Sequence, residues 1–360
     1  MSRVYNFSAG PATLPDTVLA QIRREIPEWN KTGMSIMEVS HRSNEFMTVL
    51  GQTAQDLRGL LQIPEDYSIL FAQGGATLQF SMVPLNLAKE GDSVDYALTG
   101  SWSKKAITEA TKYCDVNVVA DSSDRDFTYI PEEATWKRNE QAAYLHYCAN
   151  ETISGVEFPF VPNSGETPLV SDMSSTILSR PVEISRFGVI YAGAQKNIGP
   201  AGLTLIIVRK DLIGKSSSRV PQLLDYAVYD QTNSMSNTPP VFSLYVAGLV
   251  FEYLKELGGL EVMGNKNKRK AEKLYKAIDG SSFYSNPVEK NCRSWTNVPF
   301  VLHDPLLDER FIEEAGQGGL VNLKGHRSVG GMRASIYNAM PESGIDVLIS
   351  FMQEFERTYG

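Results

Sequence analysis

The stretch GVIYAGAQKNIGPAGLTLIIVRK, residues 188–210, sets a lysine, Lys196, in a turn rich in glycine and alanine. We interpret the apolar flanks, residues 188–192 and 203–208, as buried strands. Lysine is seldom placed at such a turn unless its amine reaches water or has a chemical task. The role of Lys196 therefore depends on which partners the rest of the chain supplies.

Short apolar segments alternate with helical ones between residues 67 and 208. This alternation is typical of an α/β fold with a doubly wound, mainly parallel sheet. No helix separates the last two segments, which predicts one antiparallel or irregular pairing. Strands are expected at residues 67–72, 93–98, 116–120, 143–148, 169–171, 188–191 and 203–208.

A long apolar helix, residues 241–259, ends at Gly258 and Gly259, which is a C-cap signal. We place the domain boundary there. A basic amphipathic helix, strand-like runs and a closing helix from Glu342 follow, an order typical of an α+β unit. The prediction is a large α/β domain over residues 16–259 and a smaller α+β domain formed by residues 1–15 and 260–360.

The composition is that of an ordinary globular protein, with 360 residues, 42% hydrophobic, 21% charged and a net charge of -8. The negative charge argues against nucleic acid or an anionic membrane as a partner, and we interpret the basic run NKNKRKAEKLYK, residues 265–276, as a solvated helix face. Three widely spaced cysteines argue against a disulfide framework and a zinc site. No apolar run approaches the roughly 20 residues that a membrane span requires, so we expect a cytoplasmic protein. We also expect no metal.

The segment ILFAQGGATLQFSMVPL, residues 69–85, has the order strand, Gly-Gly-Ala-Thr, helix. Two glycines permit a tight turn, and the new helix N-terminus offers free N–H groups to a phosphate. An ordinary strand-to-helix turn explains the segment equally well. The dinucleotide pattern G-x-G-x-x-G and the ATP pattern G-x-x-x-x-G-K-[ST] are both absent from it.

Three more strand ends carry candidate ligand-binding residues. Trp102 can lie flat against a planar ring, since ligands of open α/β sheets bind at this edge, although core packing is commoner for tryptophan. Asn150 to Thr152 can bond to a ring substituent or form a capped turn, and Asp172 can pair with a protonated ring nitrogen or cap a helix. Together with Lys196 as the Schiff-base lysine, these features are what a pyridoxal phosphate site needs.

Five cationic or titratable residues suggest the substrate. Two of the four histidines open His-Arg dipeptides, and an arginine follows the second dipeptide in GGMRAS. A substrate with both a carboxylate and a phosphate needs more than one fixed cation, and arginine binds either group bidentately. A surface salt bridge is the alternative for each arginine, which the glycines around the second dipeptide disfavour. The candidates are His41, Arg42, His326, Arg327 and Arg333.

With these motifs the sequence resembles the class V aminotransferases, a family of fold-type I pyridoxal phosphate enzymes. The resemblance covers almost the whole chain, and it lies in NFSAGPATLP, EVSHRS, FAQGGATLQF, TGSWS, NETISGVEF, SDMSS, AGAQKNIGPAG, NTPPVFSLY and KGHRSVGGMRASIYNA. It implies the fold-type I large domain, pyridoxal 5'-phosphate as the cofactor and a homodimer with sites at the interface.

The resemblance also implies a role for each matching residue. Lys196 would bind the cofactor covalently, Asp172 would pair with the ring nitrogen and Trp102 would stack on the ring. The other implied cofactor contacts are Thr152 at the ring oxygen, Ala76, Thr77 and Gln195 at the phosphate, and Asn237 and Thr238 at the phosphate of the other subunit. The implied substrate contacts are Arg333 for the α-carboxylate, and His41, Arg42, His326 and Arg327 for the distal phosphate or carboxylate.

The implied reaction moves an amino group from L-glutamate to 3-phosphohydroxypyruvate and gives O-phospho-L-serine and 2-oxoglutarate, as in serine biosynthesis. Some family members also form 4-phosphohydroxy-L-threonine for pyridoxine biosynthesis. The alternatives are a class V transaminase for alanine or serine with glyoxylate, and a non-enzymatic protein that binds phosphorylated metabolites. Cys292 would suit a desulfurase of the same fold, but EKNCRSWTN has neither a glycine-rich loop nor a nearby histidine.

Overall fold

The computed structural model describes residues 3–360, so residues 1 and 2 of the predicted smaller domain lie outside the described residues. Its α-helices are α1 (Asp16–Glu25), α2 (Asn44–Leu61), α3 (Gly75–Leu87), α4 (Ser101–Ala110), α5 (Tyr226–Gln231), α6 (Val241–Glu256), α7 (Gly259–Asp279), α8 (Asp308–Gln317) and α9 (Glu342–Tyr359). Its strands are β1 (Tyr5–Asn6), β2 (Tyr67–Ala72), β3 (Ser93–Leu98), β4 (Asp115–Asp121), β5 (Leu145–Cys148), β6 (Asn150–Glu151), β7 (Val156–Glu157), β8 (Leu169–Asp172), β9 (Val189–Gly193), β10 (Thr204–Arg209), β11 (Tyr284–Ser285), β12 (Asn297–Leu302), β13 (Leu320–Val321) and β14 (Met332–Ser335).

The central sheet has the strand order β2-β10-β9-β8-β5-β3-β4. Strands β9, β8, β5, β3 and β4 pair in parallel, whereas β10 is antiparallel to both of its neighbours. The connection from β9 to β10 is too short for the helical crossover that a parallel pair needs. The prediction of a doubly wound, mainly parallel sheet is therefore confirmed, as is the reversed pairing of its last two strands, and β10 forms a second antiparallel pairing with β2.

Helices cover both faces of this sheet. On β9, Ile190 packs into the core formed with α2 and α6, and the next residue, Tyr191, packs into the core formed with α3, α4 and α5. Side chains of a strand alternate between faces, so a strand buried on both faces is apolar throughout. This explains why residues 188–192 form an unbroken apolar run.

The smaller unit is built on the antiparallel sheet β11-β12-β14, with α7, α8 and α9 around it. The N-terminal segment belongs to it, because β1 pairs in parallel with β13 and Phe7 lies in the same core. Helix α7 contributes Leu260 and Met263 to the large core and Leu274 and Ile278 to the small one. The division at residues 259 and 260 stays a prediction.

Two further properties of the described chain bear on function. Within residues 3–360, none of the helices combines the length and the apolar character that crossing a bilayer requires. The three cysteines are buried thiols, and burial raises the pKa of Cys292 to about 11. A thiol that stays protonated at neutral pH is a poor nucleophile, which argues against the desulfurase reading of Cys292.

The interpretation of residues 265–276 as a solvated face is wrong at Lys270. Most cations of this run are exposed, but Lys270 is only 1% exposed. Its ammonium donates to the carbonyl oxygens of Ile336, Tyr337 and Met340 at 2.9, 2.8 and 3.1 Å. Lys270 therefore holds the chain that follows β14 against α7.

We expect Lys270→Met to lower the free energy of unfolding at pH 7 by about 2–4 kcal/mol, because three carbonyl groups lose their buried donor. Burial lowers the pKa of Lys270 from 10.5 to about 7, so between these values the unfolded chain binds more protons than the folded one. Stability of the wild-type protein should therefore rise with pH across this window, and the variant should lack this part of the rise. Urea unfolding at pH 7, 8 and 9 measures both effects.

Lys268→Met is the matched control on the same helix, because Lys268 is exposed and forms only a 3.9 Å ion pair with Glu272. Its cost should stay below about 1 kcal/mol. Equal pH slopes for wild type and Lys270→Met would contradict the lowered pKa of Lys270.

Candidate active site

The predicted cofactor residues follow strands that end at one edge of the sheet. Strands β3, β5, β8 and β9 are parallel, and β2 runs in the same direction because β10 is antiparallel to both β2 and β9. Their carboxyl ends therefore meet at the edge where open α/β sheets bind ligands. This edge carries, at the strand ends or in the turns and first helical turns that follow them, Ala76, Thr77, Trp102, Thr152, Asp172 and Lys196.

Lys196 lies beside Thr152 and within electrostatic reach of Asp172. Its Nζ donates to Thr152 Oγ1 at 2.7 Å. Burial lowers the pKa of Lys196, and the negative charge of Asp172 opposes that shift. The structure thus brings together the lysine and the acid that lie 24 residues apart in sequence.

Asp172 is 6% exposed, and its Oδ1 accepts a hydrogen bond from the Ser174 backbone N–H at 2.9 Å. Burial raises the pKa of Asp172, while the Ser174 hydrogen bonds and the charge of Lys196 lower it. Asp172 thus satisfies a backbone N–H of the turn that follows β8, and its charge acts on Lys196. Its pairing with a ring nitrogen stays a prediction.

The turn that carries Lys196 is held from several sides. The Gly193 N–H donates to Ser174 Oγ at 3.0 Å, and a side chain at Gly193 would collide with Gln195, since a Cβ would lie 2.6 Å from its Oε1. The N-terminal segment lies against the same turn, where the Ala12 N–H donates to the backbone carbonyl oxygen of Gln195 at 2.8 Å. These contacts fix the backbone from which Lys196 projects.

The N-terminus of α3 has the features of a phosphate site. Gly74 and Gly75 have φ of +89° and +67°, a left-handed conformation that favours glycine. The first turn of α3, which is fully described and contains Ala76 and Thr77, has no acidic residue to occupy its N–H groups. Gln73 Nε2 donates to the Thr238 carbonyl oxygen at 3.1 Å, so the segment of Thr238 lies beside this cradle.

Trp102 stands in the first turn of α4, with its ring centroid 5.9 Å from Lys196 Nζ. The sequence analysis did not identify the residue that binds the backbone of Trp102. Glu151 is fully buried and accepts hydrogen bonds from the N–H groups of Trp102 and Ser103, each at 2.8 Å. The only signal for this role in the sequence was an acidic residue three positions after the apolar strand predicted at residues 143–148. Its neighbour Asn150 bonds to Ser175 and Asn297 instead, so it supports the fold around the site.

The second His-Arg dipeptide and Arg333 lie near the lysine. Arg333, on β14, donates from its guanidinium to the backbone carbonyl oxygen of Thr152 at 3.4 Å. Burial lowers the pKa of His326, and the charges of Arg333, Arg327 and Lys105 lower it further. Lys105 is a second missed residue, and its Nζ lies 4.4 Å from the centroid of the Trp102 ring. One cluster of cations therefore borders the site.

The other two predicted substrate residues, His41 and Arg42, are not bonded to this cluster among the described residues. His41 and Arg42 precede α2, and within residues 3–360 neither of them has a hydrogen bond to Arg333, His326 or Arg327. Arg42 is exposed, and His41 has a buried Nε2 with no partner among the described residues. Substrate binding by these two residues stays a prediction.

The charges and the unpaired donors of the site fit pyridoxal phosphate. In the described chain, the buried Trp102 Nε1 and Arg333 Nε have no hydrogen-bond partner, so both are free to bind a ligand. The open α3 N-terminus suits a phosphate, and Asp172 and Lys196 suit the ring nitrogen and the aldehyde of the cofactor. The fold and the site define a pyridoxal phosphate-dependent enzyme of fold type I.

Comparison with known proteins agrees with this assignment. The family model described as aminotransferase class-V matches residues 4–348, and the chain belongs to this family. A phosphoserine aminotransferase of Hahella chejuensis is 57% identical over 353 residues, which cover 98% of each chain. The structure of phosphoserine aminotransferase from Bacillus circulans subsp. alkalophilus matches with a TM-score of 0.98 at 45% identity, over 99% of each chain. The pyridoxal phosphate-bound enzyme of the same name from Trichomonas vaginalis matches with a TM-score of 0.93 at 42% identity, over 98% of this chain and 100% of that one.

Proposed function

We propose that the protein transfers the amino group of L-glutamate to 3-phosphohydroxypyruvate, giving O-phospho-L-serine and 2-oxoglutarate, as a step of serine biosynthesis. The observation that carries this proposal is the cation cluster of Arg333, Arg327 and His326 near Lys196, to which Arg333 is linked through Thr152. Relatives named phosphoserine aminotransferase, 57% identical over nearly the full length, support the same substrate.

Lys196 is the residue that moves the proton. Bound pyridoxal phosphate supplies an electron sink for the charge that develops at the substrate Cα. Because burial lowers the pKa of Lys196, its amine loses a proton more readily than that of an exposed lysine and can then act as a base toward the Cα–H bond. The same amine, once protonated, returns the proton as an acid.

Asp172, Trp102 and the α3 N-terminus fix the position of the cofactor. The Asp172 carboxylate holds a proton at the ring nitrogen, which keeps the ring positively charged. Trp102 sets the plane of the ring, and Ala76, Thr77 and Gln195 bind the phosphate. Thr152, which accepts from Lys196 Nζ at 2.7 Å, would bind the ring oxygen.

The cations orient the substrate. Arg333 binds the α-carboxylate, and His326 and Arg327, together with His41 and Arg42, bind the distal phosphate or carboxylate. Two fixed anions hold the Cα–H bond in one direction, which lowers the entropic cost of proton transfer. The pocket must accept glutamate and the phosphorylated substrate in turn, as a ping-pong transaminase does.

Two finer assignments belong to this proposal. We propose that the same pocket aminates 4-phosphohydroxy-2-oxobutanoate, which also carries a carboxylate and a distal phosphate, and so serves pyridoxine biosynthesis. We also propose a cytoplasmic location, which the three buried, reduced cysteines support, because disulfides are rare in that compartment.

Steady-state kinetics with glutamate as donor test the substrate. We expect kcat/KM for 3-phosphohydroxypyruvate to exceed that for hydroxypyruvate by about 100-fold or more, because the smaller acceptor leaves the distal cations unpaired. Arg327→Ala should shrink this ratio, and Lys196→Ala should have no turnover. Equal kcat/KM for the two acceptors, or faster transfer from alanine to glyoxylate, would favour a class V transaminase of another specificity. Unchanged binding of phosphorylated ligands by an inactive protein would favour the metabolite-binding alternative.

We further propose that the protein is a homodimer in which Asn237 and Thr238 of the partner subunit contact the cofactor phosphate. The family resemblance supports the proposal, and Gln73 donates to the Thr238 carbonyl oxygen beside the N-terminus of α3. Because that contact lies within one chain, action of Thr238 on its own site is the alternative that a test must separate.

Mixed dimers separate the two arrangements. Lys196→Ala and the double variant Asn237→Ala, Thr238→Ala are each expected to be nearly inactive. If the segment acts across the interface, a mixed dimer has one complete site and should recover about half of the wild-type activity. Activity no higher than that of the parents would place the segment in its own site, and a monomer in sedimentation would overturn the dimer.

A further inference from the structure

We infer that Glu151 is a positioning residue, which fixes Trp102 for ring stacking by closing the N-terminus of α4. The inference rests on the proposed cofactor chemistry and adds a residue to which sequence reasoning gave no role. Glu151 does not itself contact the reacting atoms in this assignment. It acts through the backbone that carries Trp102.

The hydrogen bonds of Glu151 are bidentate. Oε2 accepts from the Trp102 N–H and Oε1 from the Ser103 N–H, each at 2.8 Å. Ser103 completes the turn, because its Oγ accepts from the N–H groups of Thr99 and Gly100 at 3.0 Å. These bonds satisfy four N–H groups between Thr99 and Ser103. The start of α4 therefore has little freedom to shift.

Glycine at position 100 shows that the turn is built around this carboxylate. A Cβ there would collide with the carboxyl group of Glu151. The φ of Gly100 is 170°, an extended conformation that any residue adopts, so backbone conformation does not require glycine. Close approach of the buried carboxylate is therefore the reason for glycine at this position.

The charge of Glu151 also belongs to the site. Burial raises the pKa of Glu151, and its hydrogen bonds to Ser103 and Trp102 oppose that shift. The groups whose charges act on Lys196 are Asp172, Cys148, Arg333 and Glu151. A fully buried carboxylate is costly to keep, and it is compensated here by two N–H groups and the positive end of a helix.

Glu151 also separates the tasks of two helix N-termini at the same sheet edge. The start of α4 is occupied by a carboxylate, whereas the start of α3 has no acid in its first turn. An anionic phosphate is repelled from the first and attracted by the second. Ring and phosphate are thereby directed to different helices, with Trp102 beside the ring.

The test compares cofactor binding by variants of the full-length protein. Glu151→Gln keeps the size of the side chain but loses the charge and one acceptor. We expect its apoenzyme to bind pyridoxal phosphate about tenfold more weakly, which is the order of one lost aromatic stacking contact. Glu157→Gln is the matched control, because Glu157 pairs with Asn150 in the same β6–β7 hairpin, is 4% exposed and bonds to Arg180 instead. It should lower Tm but leave the cofactor affinity unchanged.

A double-mutant cycle tells positioning of Trp102 from a general effect on stability. In a Trp102→Ala background, Glu151→Gln should change the cofactor Kd by less than about twofold, because the residue through which it acts is gone. An undiminished tenfold effect in that background, or wild-type affinity of Glu151→Gln alone, would overturn the inference.

Gly100→Ala provides a second variant if Glu151→Gln does not fold. It keeps the charge of Glu151 and displaces only the carboxylate, so it should weaken cofactor binding as Glu151→Gln does, and unchanged affinity would contradict the inference. A wild-type protein that binds no pyridoxal phosphate would instead refute the proposed function, so the two failures are distinguishable.

Discussion

Three ionisable groups are buried at one edge of the sheet, and the rest of the site depends on the constraint that each of them must be compensated. Burial lowers the pKa of Lys196 and raises those of Asp172 and Glu151, so each group alone would tend to become neutral. The charges of Lys196 and Asp172 oppose each other's shifts, whereas the hydrogen bonds to Ser103 and Trp102 oppose the shift of Glu151. A lowered lysine pKa favours the free amine that proton transfer requires, and the contacts that lower the pKa of Asp172 favour its carboxylate form.

The fold meets this constraint by tying the smaller unit to the lysine turn. The Asn338 N–H, just after β14, donates to Asn197 Oδ1 at 3.1 Å, and Asn197 directly follows Lys196. Asn150 and Asn297 form a second link between the units at 2.7 Å. These buried amides fix the distance between β14, which carries Arg333, and the amine that it serves. The side chains of Arg333 and Lys196 therefore project from backbones that are held together before any ligand binds.

Much of this arrangement was predictable because it follows from local pattern. Strands β2 and β3 match the predicted residues 67–72 and 93–98, since strands buried on both faces are continuous apolar runs. The proximity of Asp172 to Lys196 follows from topology, because Asp172 ends β8 and Lys196 follows the end of β9, the parallel neighbour of β8.

Contacts between distant segments were not predictable from pattern. Lys270 carries the sequence signature of a surface lysine, and only the chain after β14 shows why it is buried. Glu151 acts on Trp102, 49 residues away, through backbone N–H groups that leave no trace in side-chain pattern.

The central claim is that Lys196 binds pyridoxal phosphate and that the site then exchanges amino groups with glutamate. The most direct measurement is the absorption spectrum of the purified protein with pyridoxal phosphate, before and after glutamate is added. We expect a near-visible band that glutamate shifts to shorter wavelength and that 3-phosphohydroxypyruvate restores. Lys196→Ala should lack the borohydride-trappable form. A wild-type protein that gains no such band, or a band that glutamate leaves unchanged, would contradict the account.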